Sequence, residues 1–342
     1  MTRYEQIQKE LLQRPRKWLV TGAAGFIGLN ITKKLLELNQ EVWGLDNLLL
    51  GKMERVEEML LQISKPRSSR FHFTQGDIRD SALCDKLCHG IDFVLHQAAL
   101  GSIPRSLENP VATHDHNVNG FLNILQACRN QKIHKLVYAS SSSVYGDSPI
   151  LPRTEPYIGQ ALSPYAVTKQ INESYARVFH RCYQSPCIGL RYFNVFGPWQ
   201  NPQGVYAAVI PRWILAFLEN TPITIFGDGK TTRDFCFVDN IVQANLLAAL
   251  VKNIEDYEIF NVAGGQRTSL IELFSLIRQG LSKFKSDFIK KEICFAEFRK
   301  GDVPHSFADI SKISSRLDYQ PTHSFQDGLD LTIQWFLKKT TR

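Results

Sequence analysis

No run of apolar residues in this 342-residue chain is long enough to cross a bilayer. The opening stretch, Met1 to Lys17, is rich in Glu, Gln, Lys and Arg and lacks the apolar centre of an export signal. A cytoplasmic protein with no membrane partner is therefore expected. Cysteine is sparse and scattered: Cys84, Cys88, Cys128, Cys182, Cys187, Cys236 and Cys294 make an odd total of 7. That set excludes a disulfide framework, and reduced thiols are expected. Cys84 and Cys88 have no second cysteine or histidine pair at zinc-ligand spacing, and His114-Asp115-His116 reads as a solvated stretch before a helix, so no metal centre is expected. Internal repeats and low-complexity tracts are also missing. Charge of one sign is barely in excess: Lys+Arg 40 against Asp+Glu 33 gives +7, with the basic residues dispersed among acids. Nucleic acid is not an expected partner, whereas a few arginines that bind a phosphorylated small molecule are.

What is present is an ordinary globular composition, 44% hydrophobic, enough to bury one large domain and a smaller one. After a polar helical lead, Lys17 to Thr21 reads as a strand, Gly25 to Leu38 as a helix and Glu41 to Asp46 as a strand. Further strands are expected at Phe71 to Gln75, Asp92 to His96, Lys135 to Ser140 and Ile188 to Tyr192. Helical patterns near Ser81 to Cys88, Asn117 to Asn130 and Pro164 to Tyr183 separate them. This alternation implies an α/β protein with a doubly wound parallel sheet covered on both faces. The rhythm breaks near Val195, where Gly-Pro and Gly-Gly pairs punctuate shorter elements with helices near Ala207 to Glu219 and Leu270 to Leu281. The expected division is 1–194 as the nucleotide-binding domain, with 235–262 returning to it, and 195–234 plus 263–342 as a smaller mixed α/β substrate domain.

Gly22, Gly25 and Gly28 stand between a strand and a helix, at the spacing that permits a tight turn, close approach of a pyrophosphate and close helix packing. Asp46 ends the next strand 18 residues after Gly28, placed to accept hydrogen bonds from an adenosine ribose diol. A carboxylate there repels a ribose phosphate, so NAD is the expected cofactor in preference to NADP. Asp77 follows a third strand and reads equally as an adenine contact or a helix cap. Gln97-Ala98-Ala99 offers small side chains beside a flat cofactor, and Asn117 reads either as a cofactor contact or as support for that loop.

Tyr165 lies four residues ahead of Lys169 on one helical face, with Ser163-Pro164 as the helix start and the cluster Ser140-Ser141-Ser142-Ser143 upstream. An ammonium so placed lowers the phenol's pKa while holding a ribose, which makes Tyr165 a candidate base. Oxidising a secondary alcohol needs a group that takes the hydroxyl proton while a hydride leaves carbon, and a phenolate with a cation and a serine suffices.

With these residues assembled, the chain resembles the extended short-chain dehydrogenase/reductases, and among them the nucleotide-sugar 4-epimerases of bacteria. The matching stretches run from Thr21 to Gly28, His96 to Ser102, Ser140 to Gly146, Ser163 to Lys169, Arg191 to Gly197, Gly227 to Asp234 and Arg299 to Asp302. The resemblance implies tightly held NAD, a Rossmann domain, a carboxyl-terminal domain that grips a UDP-sugar, and homodimers joined through two helices per subunit. By position it implies Tyr165 as base, Lys169 as its electrostatic partner and Ser141 with Ser142 as catalytic hydroxyls. It extends the cofactor set to Phe26, Ile27, Asn47, Ile78 and Tyr192. For the substrate it implies Gly101, Ser102, Ser143, Gln200, Ala208 and Val209, with Asn194 and Arg233 at the diphosphate and Arg299 and Asp302 near the uridine.

The same scaffold hosts reductases, dehydratases, decarboxylases and epimerases, so the outcome turns on individual residues. The 4,6-dehydratases of the family carry Asp-Glu where this chain has Ser142-Ser143, which favours simple epimerisation. Ser306 stands where relatives restricted to non-acetylated sugars carry tyrosine, and it leaves room for an N-acetyl arm. The expected activity is reversible C4 epimerisation of UDP-N-acetylglucosamine for polysaccharide precursor supply. UDP-N-acetylglucosaminuronic acid as substrate, a net nucleotide-sugar dehydrogenase and a non-catalytic Rossmann binder are the alternatives. Pro198-Trp199 departs from the family, which often has arginine beside Gln200.

Overall fold

A computed structural model describes residues 1–203, 207–252, 254, 257–284, 293–297 and 303–340. In chain order the first half comprises α1 (Arg3–Gln13), β1 (Lys17–Thr21), α2 (Phe26–Glu37), β2 (Glu41–Asp46), α3 (Met53–Leu61), α4 (Lys65–Ser68), β3 (Phe71–Gln75) and α5 (Ser81–Cys88). It continues with β4 (Phe93–His96), α6 (Ile103–Glu108), α7 (Pro110–His114), α8 (Gly120–Asn130), β5 (Lys135–Ser141), α9 (Pro164–Tyr183) and β6 (Cys187–Tyr192). The second half holds β7 (Val195–Phe196), α10 (Val209–Leu218), β8 (Ile223–Phe226), β9 (Thr232–Asp234), β10 (Cys236–Phe237), α11 (Val238–Leu250) and β11 (Glu258–Val262). Last come β12 (Arg267–Ser269), α12 (Leu270–Ser282), β13 (Ile293–Ala296), α13 (Ser311–Leu317) and α14 (Phe325–Thr340).

Seven strands form one sheet in the order β11-β6-β5-β4-β1-β2-β3, and every neighbouring pair is parallel. The order reverses between β1 and β4, which opens a crevice at their carboxyl ends. Thr21 pairs with Leu45 on one side and His96 on the other, so β1, β2 and β4 end nearly level. The loops that follow, starting at Gly22, Asn47 and Gln97, therefore share one edge. The segment 235–262 contributes β11 to the sheet and α11 beneath it, where α11 packs on α1, α2, β5 and β6 and buries nearly its whole circumference.

Several boundaries differ from the sequence expectations for local reasons. Asp92 stays outside β4 because its carboxylate accepts from the Lys17 amide at 2.8 Å. The helix expected from Asn117 begins at Gly120, after a π-helical turn over Asp115–Asn119. The helix expected from Ala207 begins at Val209. The short helices α6 and α7 carry proline in their first turns, a feature that reads as loop punctuation in sequence and as helix initiation in structure.

On one face of the sheet Trp18, Val20, Leu35, Ile241 and Phe260 share a core, and on the other Cys84, Cys88, Cys128 and Cys187 pack with Phe121, Ile124 and Tyr138. A separate cluster of Phe196, Trp213, Phe217, Phe274 and Phe325 fills the second half. All seven cysteines are free thiols, with Cys182 and Cys294 exposed.

Gln40 joins α1 to the sheet. Its Oε1 accepts from the Arg16 amide at 2.9 Å and Trp18 Nε1 at 3.1 Å, while Nε2 donates to the carbonyls of Leu11 at 2.8 Å and Leu38 at 2.6 Å. Replacing this buried amide, Gln40→Leu, strands two donors and two acceptors and is expected to cost about 2–4 kcal/mol. Urea denaturation measures it; a loss below about 1 kcal/mol would mean that these groups find other partners.

Candidate active site

The turn after β1 is built by absence of side chains. Gly22 has φ +71°, and a Cβ there would lie 2.8 Å from the Ala98 amide nitrogen. A Cβ on Gly28 would lie 2.0 Å from the Gly22 carbonyl oxygen, so α2 starts directly against the turn. Gly25 is the N-cap of α2 and has no side-chain cap, which leaves the amides of the first turn facing the crevice for an anion.

A cavity of about 590 Å³ opens there. Gly22, Gly25, Phe26, Ile27 and Gly28 form its floor, Asp46, Asn47, Gly76 and Ile78 one wall, and Gln97, Ala98, Ala99 and Gly101 another. Gln200 and Ala208 close it from the second half of the chain. Asp46 Oδ2 accepts from the Ala24 amide at 3.0 Å and Oδ1 from the Leu48 amide at 2.8 Å. Burial pushes its carboxyl pKa up while those amides pull it down, with the upward push prevailing. A turn too tight for a Cβ at Gly22 or Gly28, a cavity of this volume and a carboxylate at the second strand end fit a dinucleotide.

Other expected cofactor residues act around this cavity. Asp77 accepts from Asn47 Nδ2 at 2.8 Å and pairs with Arg79 at 3.0 Å. Burial pushes its carboxyl up, but Arg79 and Asn47 prevail and hold it well below the usual range. The cap of α5 is Asp80, not Asp77. Asn117 spends its amide on the loop: Oδ1 accepts from the Leu100 amide at 2.7 Å, and Nδ2 donates to the Leu100 carbonyl and Thr168 Oγ1, each at 3.2 Å. Tyr192 donates to Gln97 Oε1 at 3.0 Å and accepts from Asn245 at 2.8 Å, which fixes Gln97 from below. Leu49, Leu50, Arg55 and Arg105, which the sequence reading did not single out, also line the cavity, and so does His116, which it read as solvated. His116 carried the one available signal, its place just before α8.

Tyr165, Lys169 and the serine run meet at the end of β5. Ser163 caps α9, accepting from the Ala166 amide at 3.2 Å, and Pro164 occupies the first turn. Ser141, at the end of β5, lies near enough to Tyr165 to act on its phenol. Lys169 is 2% exposed, and its Nζ donates to the Ala139 carbonyl at 2.7 Å and lies 5.9 Å from the Tyr165 ring centroid. Burial lowers the Lys169 pKa to about 8, against the pull of Glu173. Burial raises the Tyr165 pKa, and Ser141 is the group that draws it down. The lysine expected to depress the phenol is instead tied to β5, on the sheet side. Thr168, hydrogen-bonded to Asn117, connects this cluster to the cavity loop at Leu100.

Ser141 caps a 3-10 turn over Ser142–Tyr145 by accepting from the Ser143 amide at 3.1 Å. Ser143 Oγ and Gln200 Oε1 are buried without a hydrogen-bond partner among the described residues. Ser102 begins α6 at φ +102°, a strained conformation for a residue with a Cβ. A second cavity of about 170 Å³ is lined by Asn194, Val209 and Arg233 together with Arg212, Trp213, Thr224, Phe226 and Phe235. The Arg233 guanidinium donates to the Thr232 carbonyl at 3.0 Å. The Ser306 amide donates to the Thr232 carbonyl at 3.1 Å, which lays the 303–309 segment against β9. Arg212 and Phe226 escaped the sequence reading because nothing in their local pattern marks a site. Arg299 and Asp302 lie outside the described residues.

The profile of the NAD-dependent epimerase/dehydratase family matches residues 18–263, and the chain belongs to that family. Its cofactor is NAD. The chain is similar to the UDP-N-acetylglucosamine 4-epimerase of Methanobrevibacter ruminantium, solved with UDP-N-acetylmuramic acid: 34% identity, TM-score 0.87, covering 95% of this chain and 99% of that one. The UDP-glucuronic acid 4-epimerase of Bacillus cereus, solved with UDP-glucuronic acid and NAD, shares 32% identity and a TM-score of 0.84, with 94% and 99% covered. The UDP-glucuronate 4-epimerase of Thermodesulfobacterium geofontis is 34% identical over 93% of this chain and 95% of the relative. No described helix is long and apolar enough to cross a membrane.

Asp46→Asn keeps the shape of the side chain and removes its charge. The ratio of NADP to NAD affinity is expected to rise about tenfold, since only the 2′-phosphate meets the lost repulsion. Titration of cofactor-free protein with each dinucleotide measures it. An unchanged ratio would mean that Asp46 serves the turn alone.

Proposed function

We propose that the protein is a UDP-sugar 4-epimerase that inverts C4 of UDP-N-acetylglucosamine through a transient 4-keto sugar. The observation that carries this reading is the meeting of Tyr165, Ser141 and Lys169 on the part of α9 that Thr168 and Asn117 tie to Leu100 of the dinucleotide cavity, with serines and no acids at 142 and 143. Bound NAD supplies a reversible acceptor for the hydrogen on C4. Tyr165 takes the C4 hydroxyl proton and later returns it, and Ser141 holds that proton path in line. Lys169 keeps positive charge behind the phenol and would also help to hold the cofactor ribose. Serines at 142 and 143 bind hydroxyls but supply no acid for eliminating water, so the keto sugar is reduced again after turning over. The relatives named for C4 epimerisation of UDP-sugars support this reading.

The second cavity, with Arg212, Arg233 and Phe226, is read as the uridine diphosphate subsite. Gly101, Ser143, Gln200 and Ser306 are read as the sugar pocket, with the unpartnered Ser143 and Gln200 oxygens awaiting sugar hydroxyls. Residues 1–194 with 235–262 are read as the cofactor domain and the remainder as the substrate domain. The exposed Val167, Tyr175 and Val178 share one face of α9, and we infer a homodimer that covers them.

A uronate is the second reading, because Arg105 and His116 line the cavity and two relatives carry the glucuronate name. Incubating the NAD-loaded protein with UDP-sugars, acetylated, plain and each uronate, and separating the C4 epimers decides between them. Conversion of the acetylated neutral sugar is expected; conversion of uronates alone selects the second reading, and no conversion sinks both.

Tyr165→Phe is expected to lower turnover by about 10²–10⁴ while the protein still retains NAD. Turnover near the parental rate would remove Tyr165 as the base. Ser306→Tyr adds an aromatic ring and is expected to lower kcat/KM for the acetylated sugar about tenfold or more relative to the plain one. Equal effects on both sugars would remove Ser306 from the acetyl pocket.

A further inference from the structure

Beneath the catalytic cluster lies a buried ion pair that the reaction itself does not use. Glu173, one helical turn after Lys169 on α9, is bound by Arg191 of β6 through two hydrogen bonds, Nε to Oε1 at 2.9 Å and Nη2 to Oε2 at 2.8 Å. Ser140 Oγ of β5 donates to the same Oε1 at 2.5 Å. Glu173 is 5% exposed, Arg191 2% and Ser140 2%. The carboxylate thus grips the residue next to Ser141, on the strand whose Ala139 carbonyl receives Lys169.

We propose that Glu173 is the positioning residue of this centre: it keeps the buried Lys169 charged and sets the register of β5 against α9. This rests on the reading of Lys169 as part of the active centre. The groups facing Lys169 leave Glu173 as its counter-charge. From α9 come Tyr165 and Glu173. From β4 comes His96, whose Nδ1 is hydrogen-bonded to Thr21 Oγ1 at 2.8 Å and whose pKa is held at about 3 by burial and then by Lys169 itself, so it is neutral. From β5 comes the Ala139 carbonyl dipole, and the like charge of Arg191 on β6 is bound to Glu173. Burial alone drives an ammonium toward the neutral amine, and the Glu173 carboxylate opposes that shift.

The sign follows. Removing the carboxylate lowers the Lys169 pKa, so the ammonium is lost at a lower pH. Protein carrying ¹³Cε-lysine is titrated by NMR, with the Lys169 signal assigned by its disappearance in Lys169→Met. The parental midpoint is expected near about 8. In Glu173→Gln it is expected about one pH unit lower, the effect of one neighbouring charge. Glu173→Asp, which keeps the charge, returns it most of the way. The readout needs neither substrate nor turnover, so it stands apart from the choice of reaction. Should Glu173→Gln fail to fold with Arg191 left unpaired, the double variant Glu173→Gln/Arg191→Met removes both buried charges and is expected to move the midpoint in the same direction by less. An unchanged midpoint in whichever variant folds overturns the proposal, and so does a Glu173→Asp midpoint equal to that of the Gln variant.

Discussion

The architecture depends on one close approach between backbone atoms, that of Gly28 to the Gly22 carbonyl, where any Cβ would lie 2.0 Å from the oxygen. Because α2 begins hard against β1, its first-turn amides point into the crevice rather than over it. Because β1, β2 and β4 end nearly level, the turn, Asp46 and the Gln97–Ala99 loop meet around one cavity. Loosening the turn would part the amino end of α2 from the Asp46 carboxylate that the Ala24 amide holds beside it. Sheet topology supplies the crevice, and the glycines make it deep enough for a pyrophosphate.

Around that crevice, side chains with one apparent use have another. Asn117 saturates itself on the Leu100 backbone and Thr168, so it holds the cavity wall and fastens α9 to it. Tyr192 and Asn245 fix Gln97 from beneath. Tyr145 donates to Asn261 Oδ1 at 2.6 Å, and Asn261 Nδ2 donates to the carbonyls of Arg153 at 2.9 Å and Asp309 at 3.1 Å. That chain of bonds binds the serine turn, the last strand of the sheet and the segment bearing Ser306 into one unit. In a low-dielectric interior such a network enforces one geometry because each broken link leaves a polar group unsatisfied.

Periodicity made the sheet strands and the long helices legible, since each buries one stripe or one whole run. The strands at 17–21, 41–46 and 71–75 keep their expected bounds. The Gly22-Gly25-Gly28 spacing and Tyr165 with Lys169 were legible because backbone clearance and helical reach are local properties. Arg212, Phe226, His116 and Arg105 were not, because their place in a cavity wall is decided by how distant segments pack. The electrostatics of Tyr165 were legible only in part. Sequence spacing puts Lys169 on the same face of α9, but the length of its side chain lets the ammonium reach the Ala139 carbonyl, and that choice depends on β5 lying alongside.

A buried phenol with an upward-shifted pKa is a poor base by itself, and this constrains the role proposed for Tyr165. Burial opposes charge on both groups, pushing Lys169 toward the amine and Tyr165 toward the phenol. Two neutral groups would leave no gradient for a proton to follow. The carboxylate of Glu173 biases Lys169 toward the ammonium. With its pKa raised by burial, the phenol stays protonated at neutral pH in the free protein. On the proposed reading, the deep burial that weakens Tyr165 as a base in the free protein also means that any positive charge a ligand brings beside it would act with little screening.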